Sequence, residues 1–288
     1  MSRIPVLKTH KLFIRGAFPR TESGRTMELR DARGSLAAHL CRASRKDLRD
    51  AVEAAHAAQP GWQQATPYLR GQILHRLAEM LEGRKSELAD AVGCTSRGSR
   101  QAAAAEVTAA LDRVISMAGW CDKLASVVGG QNAVAGPYYN FTVPEPVGVV
   151  AVVGGDECPL LGFLSLVLPA LAAGNAVVAI APQRNPLPAL LVAESCPSSD
   201  LPGGVLNLLT GDHAELLPHV ASHRDIMGVV ACVPASAAAT LRAGAAENLK
   251  RVHLVDQKTD WRREEPWSGA GAFEPFLEFK TIWHPAAT

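Results

Sequence analysis

Six cysteines are the side chains of this 288-residue sequence best suited to nucleophilic chemistry, because a thiolate readily attacks a carbonyl carbon. They are Cys41, Cys94, Cys121, Cys158, Cys196 and Cys232. Since they are scattered along the chain without a CxxC pair, we expect reduced thiols that pack as small buried residues. Cys158 alone lies close to a glycine-containing loop, and we expect it to pack as well.

Three histidines and two neighbouring carboxylates could hold a cation. His213, His219 and His223 are spaced so that the last two could share a helix face. No carboxylate or cysteine completes a ligand set at the right spacing, so we predict no metal site. Asp156 and Glu157 could bind a cation or pair with an arginine, but a solvated pair of loop carboxylates is the favoured interpretation.

The elements that would position these residues are clearest in the middle of the chain. Residues 147–153 form a nearly continuous β-branched run, which is typical of a strand covered on both faces. Gly154 and Gly155 end that run, and Pro159 favours the first turn of a helix. A second apolar strand is predicted over residues 176–180. This strand–helix–strand unit is half of a mononucleotide-binding fold.

Helices and strands keep alternating up to residue 255. Further helices are predicted over 186–194, 215–221 and 236–247, and further strands over 205–209, 226–232 and 251–255. Upstream we predict a β arm in 10–40, helices over 44–60, 67–92 and 101–124, and a strand over 138–143. Five strands that alternate with helices indicate an α/β fold with a Rossmann-like, doubly wound parallel sheet, preceded by N-terminal helices and a small β element.

Several phrases of the sequence carry a family resemblance. PEPVGVVAVV, PALAAGNAVV and LPGGVLNLLTG resemble the cofactor domain of the aldehyde dehydrogenase superfamily. KLFIRG near the start and the stretch FEPFLEFKTIWH near the end resemble that family's opening and closing phrases. The resemblance implies an NAD(P)-type domain, helices packed onto it, and a hairpin that contacts neighbouring subunits.

The resemblance also identifies where the family's chemistry should lie, and those positions are altered. Glu157 stands where the family has an asparagine that donates to an oxyanion, and an ionised carboxylate cannot donate. Ile180 and Gln183 replace the lysine and glutamate that hold the ribose. Val255 replaces the general-base glutamate. The resemblance therefore implies that no catalytic residue is retained.

The residues at the positions where the family binds the cofactor's pyrophosphate are altered too. Val233 blocks a close backbone approach where the family has glycine, and Pro234 lacks an N–H donor. What remains of the cofactor site is vestigial and consists of Gly154, Pro159, Ile180, Gln183 and Gly211. We therefore expect no cofactor, although weak binding of NAD or NADP is left open.

The resemblance divides the chain into three regions. Residues 1–255 correspond to the cofactor-binding-like domain, with an oligomerisation hairpin at 130–143. Residues 256–272 are polar and punctuated by Gly and Pro, and are interpreted as a linker where complete members have their catalytic domain and its nucleophilic cysteine. Residues 273–288 correspond to an oligomerisation strand. Three tryptophans, Trp261, Trp267 and Trp283, could cover exposed surface or form an interface, and the interface is favoured.

The favoured functional hypothesis is a catalytically inactive structural or regulatory subunit. It would resemble the incomplete second module of the family sixteen aldehyde dehydrogenases and assemble with itself or with an active aldehyde dehydrogenase. The predicted interface residues are Tyr139, Phe141, Phe279, Ile282 and Trp283. Two alternatives stay open: NAD(P)-dependent aldehyde oxidation with groups supplied by a partner, or a nucleotide sensor that uses the vestigial cleft.

Composition bears on partners and location. A net charge of +1 provides no basic field for a nucleic acid partner. No run of about 18 apolar residues occurs, so no membrane span is predicted. The first residues lack the long apolar core of a signal peptide. We therefore expect a cytoplasmic protein.

Overall fold

The structure is a computed structural model and describes residues 6–286. Its first part contains β1 (Thr9–His10), β2 (Thr26–Arg30), β3 (Leu36–Cys41), α1 (Arg45–Gln64), α2 (Pro67–Glu82), α3 (Lys85–Gly93), α4 (Arg100–Trp120), α5 (Leu124–Val128), β4 (Gly130–Asn132) and β5 (Tyr138–Pro146). Its second part contains β6 (Val149–Val153), α6 (Leu161–Ala172), β7 (Ala176–Ile180), α7 (Leu187–Ser195), β8 (Leu206–Leu209), α8 (His213–Ser222), β9 (Gly228–Ala231), α9 (Ala235–Ala245), β10 (Arg251–Leu254) and β11 (Leu277–Pro285).

Five parallel strands form the central sheet in the order β10-β9-β6-β7-β8. Every residue of β6 and β7 is buried, as expected for strands covered on both faces. One hydrophobic cluster joins α2, α3, α4, α6 and α7 to one face of the sheet, and a second joins α1, α8 and α9 to the other. The predicted doubly wound α/β fold is confirmed.

Two helix boundaries differ from the sequence prediction. The helix predicted over 67–92 is divided between α2 and α3, and the break falls at Gly83 and Arg84. Glycine is a weak helix former, and the Arg84 guanidinium donates to the carbonyl oxygen of Leu191 at 3.1 Å. The end of α1 differs as well, because the helix continues through Pro60, where a stop was predicted.

Trp62 in the last turn of α1 is buried and donates its indole N–H to Leu171 O at 2.9 Å, which favours the longer helix.

The start of α6 also differs from the prediction. Pro159 lies in a turn, and the helix begins two residues later at Leu161. The carboxylate of Glu106, on α4, accepts from the N–H groups of Leu160 and Leu161 at 2.9 and 3.2 Å. A side chain from another helix therefore caps α6, and a local sequence pattern cannot reveal such a cap.

A three-stranded antiparallel sheet has the order β11-β5-β4. The strand predicted over 273–284 starts only at Leu277, because residues 270–276 form a 3-10 helix that buries Phe273 and Phe276. β5 and β11 pair along their full length, and Ile282 lies opposite Phe141. The outermost parts of the predicted end regions, residues 1–5 and 287–288, lie outside the described residues.

The segment 256–272 packs against the core and is more than a connecting linker. Trp261 is only 2% exposed and lies against Gly162 of α6, where an added Cβ would come within 3.1 Å of the indole. Its ring centroid is 4.5 Å from that of Trp267. The favoured assignment of Trp261 to an interface is therefore wrong, because this indole covers α6. Trp283 is instead 58% exposed on β11.

One further prediction concerns membranes. Within residues 6–286, none of the helices combines the length and the apolar character needed to cross a bilayer.

Candidate functional site at the carboxyl ends of the strands

The strand order places the topological switch point between β6 and β9. In an open parallel sheet, ligands bind at such a point, in the crevice between the loops that follow the two strands. Here those loops are residues 154–160 and 232–234. The predicted site residues Gly154, Pro159 and Glu157 lie in the first loop, and the structure brings the loop after β7 beside it.

The chain's own side chains occupy the space next to both loop glycines. A Cβ built on Gly154 would lie 2.8 Å from Pro182 Cδ, and one built on Gly155 would lie 2.6 Å from Cys232 Sγ. Glycine is thus needed at both positions because Pro182 and Cys232 approach the backbone closely. A cavity of about 370 Å³, lined among others by Asp156, Gln183, His213 and Pro234, stays open at this end of the sheet.

The acidic pair of the first loop is only weakly engaged. Asp156 Oδ1 accepts from the Arg184 main-chain N–H at 2.8 Å. The Glu157 side chain is 69% exposed, and its nearest cation is the Arg184 guanidinium at 3.9 Å. These two carboxylates are largely solvated, and Arg184 is the residue that contacts them.

The two predicted ribose positions have structural roles. Ile180 is fully buried at the end of β7. Gln183 accepts from the main-chain N–H of His213 at 2.9 Å, at the first residue of α8. The His213 ring in turn lies 2.9 Å from the carbonyl oxygen of Ala181. The side-chain amide oxygen of Gln183 therefore helps to cap α8.

Gly211 and Val255 are packing positions as well. A Cβ on Gly211 would meet Leu216 Cδ1 at 3.1 Å and Ala43 N at 3.4 Å, so α8 and the turn before α1 require the glycine. Val255 is buried, and its N–H donates to Ala231 O at 2.9 Å. No carboxylate occupies the Val255 position, so a general base is missing there.

Burial raises the pKa of four cysteine thiols well above the usual value. Burial is the main cause that raises the pKa of Cys158 to about 12, and the nearby Glu106 carboxylate adds to it. Burial likewise raises the pKa of Cys121 and Cys196 to about 12 and that of Cys232 to about 11. Because the thiolate is the nucleophile, these side chains are poor nucleophiles at neutral pH. Within residues 6–286 there is also no group of three or more His, Cys, Asp or Glu side chains arranged for a metal ion.

Two buried ionisable residues of α4 escaped the sequence analysis. Glu106 and Arg113 are 7% and 6% exposed, respectively. Together with Ala110 and Met117 they recur at i, i+4, i+7 and i+11, so they share one face of α4. Charged residues on an otherwise apolar face were the available signal. Glu106 lines a cavity of about 450 Å³ beside the first loop.

Comparisons with known proteins agree with this architecture. The model of the Aldehyde dehydrogenase family matches residues 19–255. DhaS of Bacillus subtilis (strain 168), which is named as an aldehyde dehydrogenase, is 30% identical over 250 residues, covering 85% of this chain and 50% of its own. The chain thus spans about half the length of this curated relative.

Solved structures give the same result. The NAD+ complex of an aldehyde dehydrogenase from Bacillus cereus superimposes with a TM-score of 0.82 at 27% identity, covering 86% of this chain and 50% of that one. PnpE from Pseudomonas sp. WBC-3 superimposes with a TM-score of 0.82 at 26% identity, with the same coverage of 86% and 50%.

Proposed function

Because the chain belongs to the aldehyde dehydrogenase family, we propose that it is a catalytically inactive member. Its role is that of a structural or regulatory subunit that assembles with itself or with an active aldehyde dehydrogenase.

The altered loop after β9 is the observation that carries this proposal. At the start of α9, where a pyrophosphate would need glycine and free N–H groups, Val233 is buried and the N-cap Pro234 has no N–H donor. The chemistry of the neighbouring residues points the same way, because Val255 cannot act as a base and the Cys158 thiol has a pKa of about 12. Cofactor binding and hydride transfer are therefore both disfavoured in this chain.

The small sheet supports the assembly part of the proposal. Tyr139, Phe141, Phe279 and Trp283 are 59%, 37%, 55% and 58% exposed, although each is a large aromatic residue. The register places Tyr139 and Phe141 on one face of the sheet and Phe279 and Trp283 on the other, so each face carries two exposed aromatic residues. Exposed aromatic pairs of this kind are typical of interaction surfaces. Ile282, the fifth predicted interface residue, is partly buried opposite Phe141.

Calorimetric titration with NAD and with NADP tests the first part. We expect no binding heat at millimolar cofactor, while an active aldehyde dehydrogenase titrated in parallel gives a normal isotherm. Binding in the micromolar range would contradict the proposal and favour the sensor alternative.

Native mass spectrometry tests the second part. The chain is purified alone and after co-expression with an active aldehyde dehydrogenase from the same genome. We expect a homo-oligomer or a complex of defined stoichiometry. A monomer in both samples would refute the subunit role, and aldehyde-dependent NADH formation by the chain alone would refute inactivity. If the complex loses its activity when this chain carries Glu157→Ala, the partner-dependent enzyme is favoured instead.

A further inference from the structure

The cavity of about 450 Å³ lies between the N-terminal end of α4, the loop after β6 and the segment 256–272. Six charged side chains line it, three basic and three acidic: Arg97, Arg184, Arg262, Glu106, Asp156 and Glu157. Its volume falls within the range of small-molecule sites. The lining is neutral as a whole and carries both signs of charge, which suits a ligand that carries both charges.

The negative part is Glu106 at the inner wall. Glu106 is 93% buried, since only 7% of it is exposed, and its Oε1 accepts both N–H groups at the start of α6. Both hydrogen bonds of the Glu106 side chain within residues 6–286 use Oε1, and none uses Oε2. A buried carboxylate with a free oxygen favours a donor that brings positive charge. The other two acids are less available, because Arg184 contacts both Asp156 and Glu157.

The positive part lies at the rim. Arg97 and Arg262 are exposed and form no ion pair within residues 6–286. The start of the 21-residue helix α4 lies on the same side, because its N-cap Ser99 also lines the cavity. The Ser99 hydroxyl caps only the N–H of Ala102, so the first N–H groups of α4 remain available to an anion. Guanidinium groups beside a helix N-terminus favour a carboxylate.

A metal ion does not explain the cavity. Hard cations require several oxygen ligands, and no such cluster occurs within the described part of the chain. An ammonium group, in contrast, needs one carboxylate and neutral acceptors, and the hydroxyl residues Thr95 and Ser96 also line the cavity.

We propose that this cavity binds a free amino acid, with its ammonium group on Glu106 and its carboxylate held by Arg97, Arg262 and the start of α4. The site goes beyond the proposed subunit role and provides that subunit with a metabolite ligand. Binding needs neither a cofactor nor a partner subunit, so it can fail or succeed independently of the assembly experiment above.

Ligand-observed NMR and calorimetry with the twenty common L-amino acids test the proposal on the purified chain. n-Propylamine and propionate serve as probes that carry only one of the two charges. At least one amino acid should bind at millimolar concentration, and both single-charge probes should bind at least about tenfold more weakly. If no amino acid binds, or if either single-charge probe binds equally well, the proposal is wrong.

Two variants locate the site. Glu106→Gln keeps an oxygen for the N–H groups of Leu160 and Leu161 but removes the charge, and should weaken binding at least about tenfold. Arg262→Gln changes an exposed residue, so the fold should persist while the affinity falls. Arg224→Gln, an exposed arginine at a different cavity, is the matched control and should bind as the parent does. Unchanged binding in both site variants would overturn the assignment.

Discussion

Lys250 lies directly before β10, and its buried ammonium group contacts the C-terminal end of α8. It is only 9% exposed, and its Nζ donates to Val220 O at 3.0 Å and to His223 O at 2.6 Å. Burial lowers its pKa from 10.5 to about 8. The neighbouring His223 also has a lowered pKa, mainly through burial, and the Asp225 carboxylate opposes that shift. The fold therefore holds a lysine whose proton is released more easily than in the unfolded chain.

The contribution of Lys250 to the free energy of unfolding should consequently rise between pH 8 and pH 10.5. The buried thiols of Cys121, Cys158, Cys196 and Cys232 act in the opposite direction above pH 9, because folding raises their pKa. In that window the unfolded chain binds more protons at Lys250 than the folded chain does, so a higher pH favours folding, by up to about 3 kcal/mol. Urea unfolding at a series of pH values measures this slope. The difference between the parent and Lys250→Met isolates the Lys250 contribution and should grow through this window, whereas Lys123→Met, at an exposed site, should follow the parent. Equal slopes in the parent and Lys250→Met would contradict the prediction.

Single residues could be predicted from the sequence where their role is local. The cysteines were predicted to pack as small buried residues, and Cys41, Cys121, Cys196 and Cys232 are indeed buried. The roles of Glu106, Arg113 and Lys250 could not be predicted, because their hydrogen-bond partners meet them only after folding. The nearest partner along the chain is 54 residues from Glu106 and 52 from Arg113, and Val220 is 30 residues from Lys250. A pattern of residue types does not encode such pairings.

At the scale of the elements, a buried arginine of α4 holds the segment 256–272 in place. The guanidinium of Arg113 on α4 donates to the carbonyl oxygens of Trp261 and Arg263 at 3.2 and 3.3 Å, and to Ser165 Oγ of α6 at 2.9 Å. One buried side chain thus fixes this segment to two helices. Burial lowers the pKa of Arg113, but a guanidinium stays charged, so these three acceptors stabilise a cation in the interior.

Arg113→Met should lower the free energy of unfolding by about 3 kcal/mol, because two carbonyl groups and one hydroxyl lose a charged donor. Urea denaturation followed by tryptophan fluorescence measures the loss and also reports on Trp261. Arg100→Met, at an exposed position of the same helix, should change the stability by no more than about 0.5 kcal/mol. Similar stabilities of the two variants would show that Arg113 does not hold the segment.

The parallel sheet was predictable because apolar runs and glycine turns are local signals. Helix ends were predicted less well, since tertiary contacts decide them. The hydrogen bond of the Trp62 indole to Leu171 stabilises the part of α1 beyond Pro60. The hydrogen bond of Arg84 to Leu191 on α7 stabilises the break between α2 and α3. The packed state of residues 256–272 was missed for the same reason, because a polar sequence with one buried tryptophan is also typical of a loop.

At the scale of the whole molecule, the small sheet leaves a main-chain edge open along β11. Phe276 O accepts from Val147 N at 3.3 Å, so in this antiparallel register the even-numbered residues of β11 bond to β5. The main-chain groups of Phe279, Thr281 and Trp283 therefore point away from β5. Leu277 O, which also points outwards, accepts from the Arg251 guanidinium. An open edge that carries exposed aromatic side chains is suited to pair with a strand of another subunit.

Trp283→Glu should therefore weaken assembly. A carboxylate on the open edge would have to be desolvated in the complex, and loss of a central aromatic side chain commonly costs an interface about 2 kcal/mol, or roughly a thirtyfold rise in dissociation constant. Sedimentation velocity over a range of concentrations measures this change. Tyr68→Glu is the matched control, because Tyr68 is an aromatic residue of α2 that is 67% exposed and lies outside the small sheet. Circular dichroism should show the fold intact in both variants. Equal dissociation constants for Trp283→Glu and Tyr68→Glu would exclude the β11 edge as the interface.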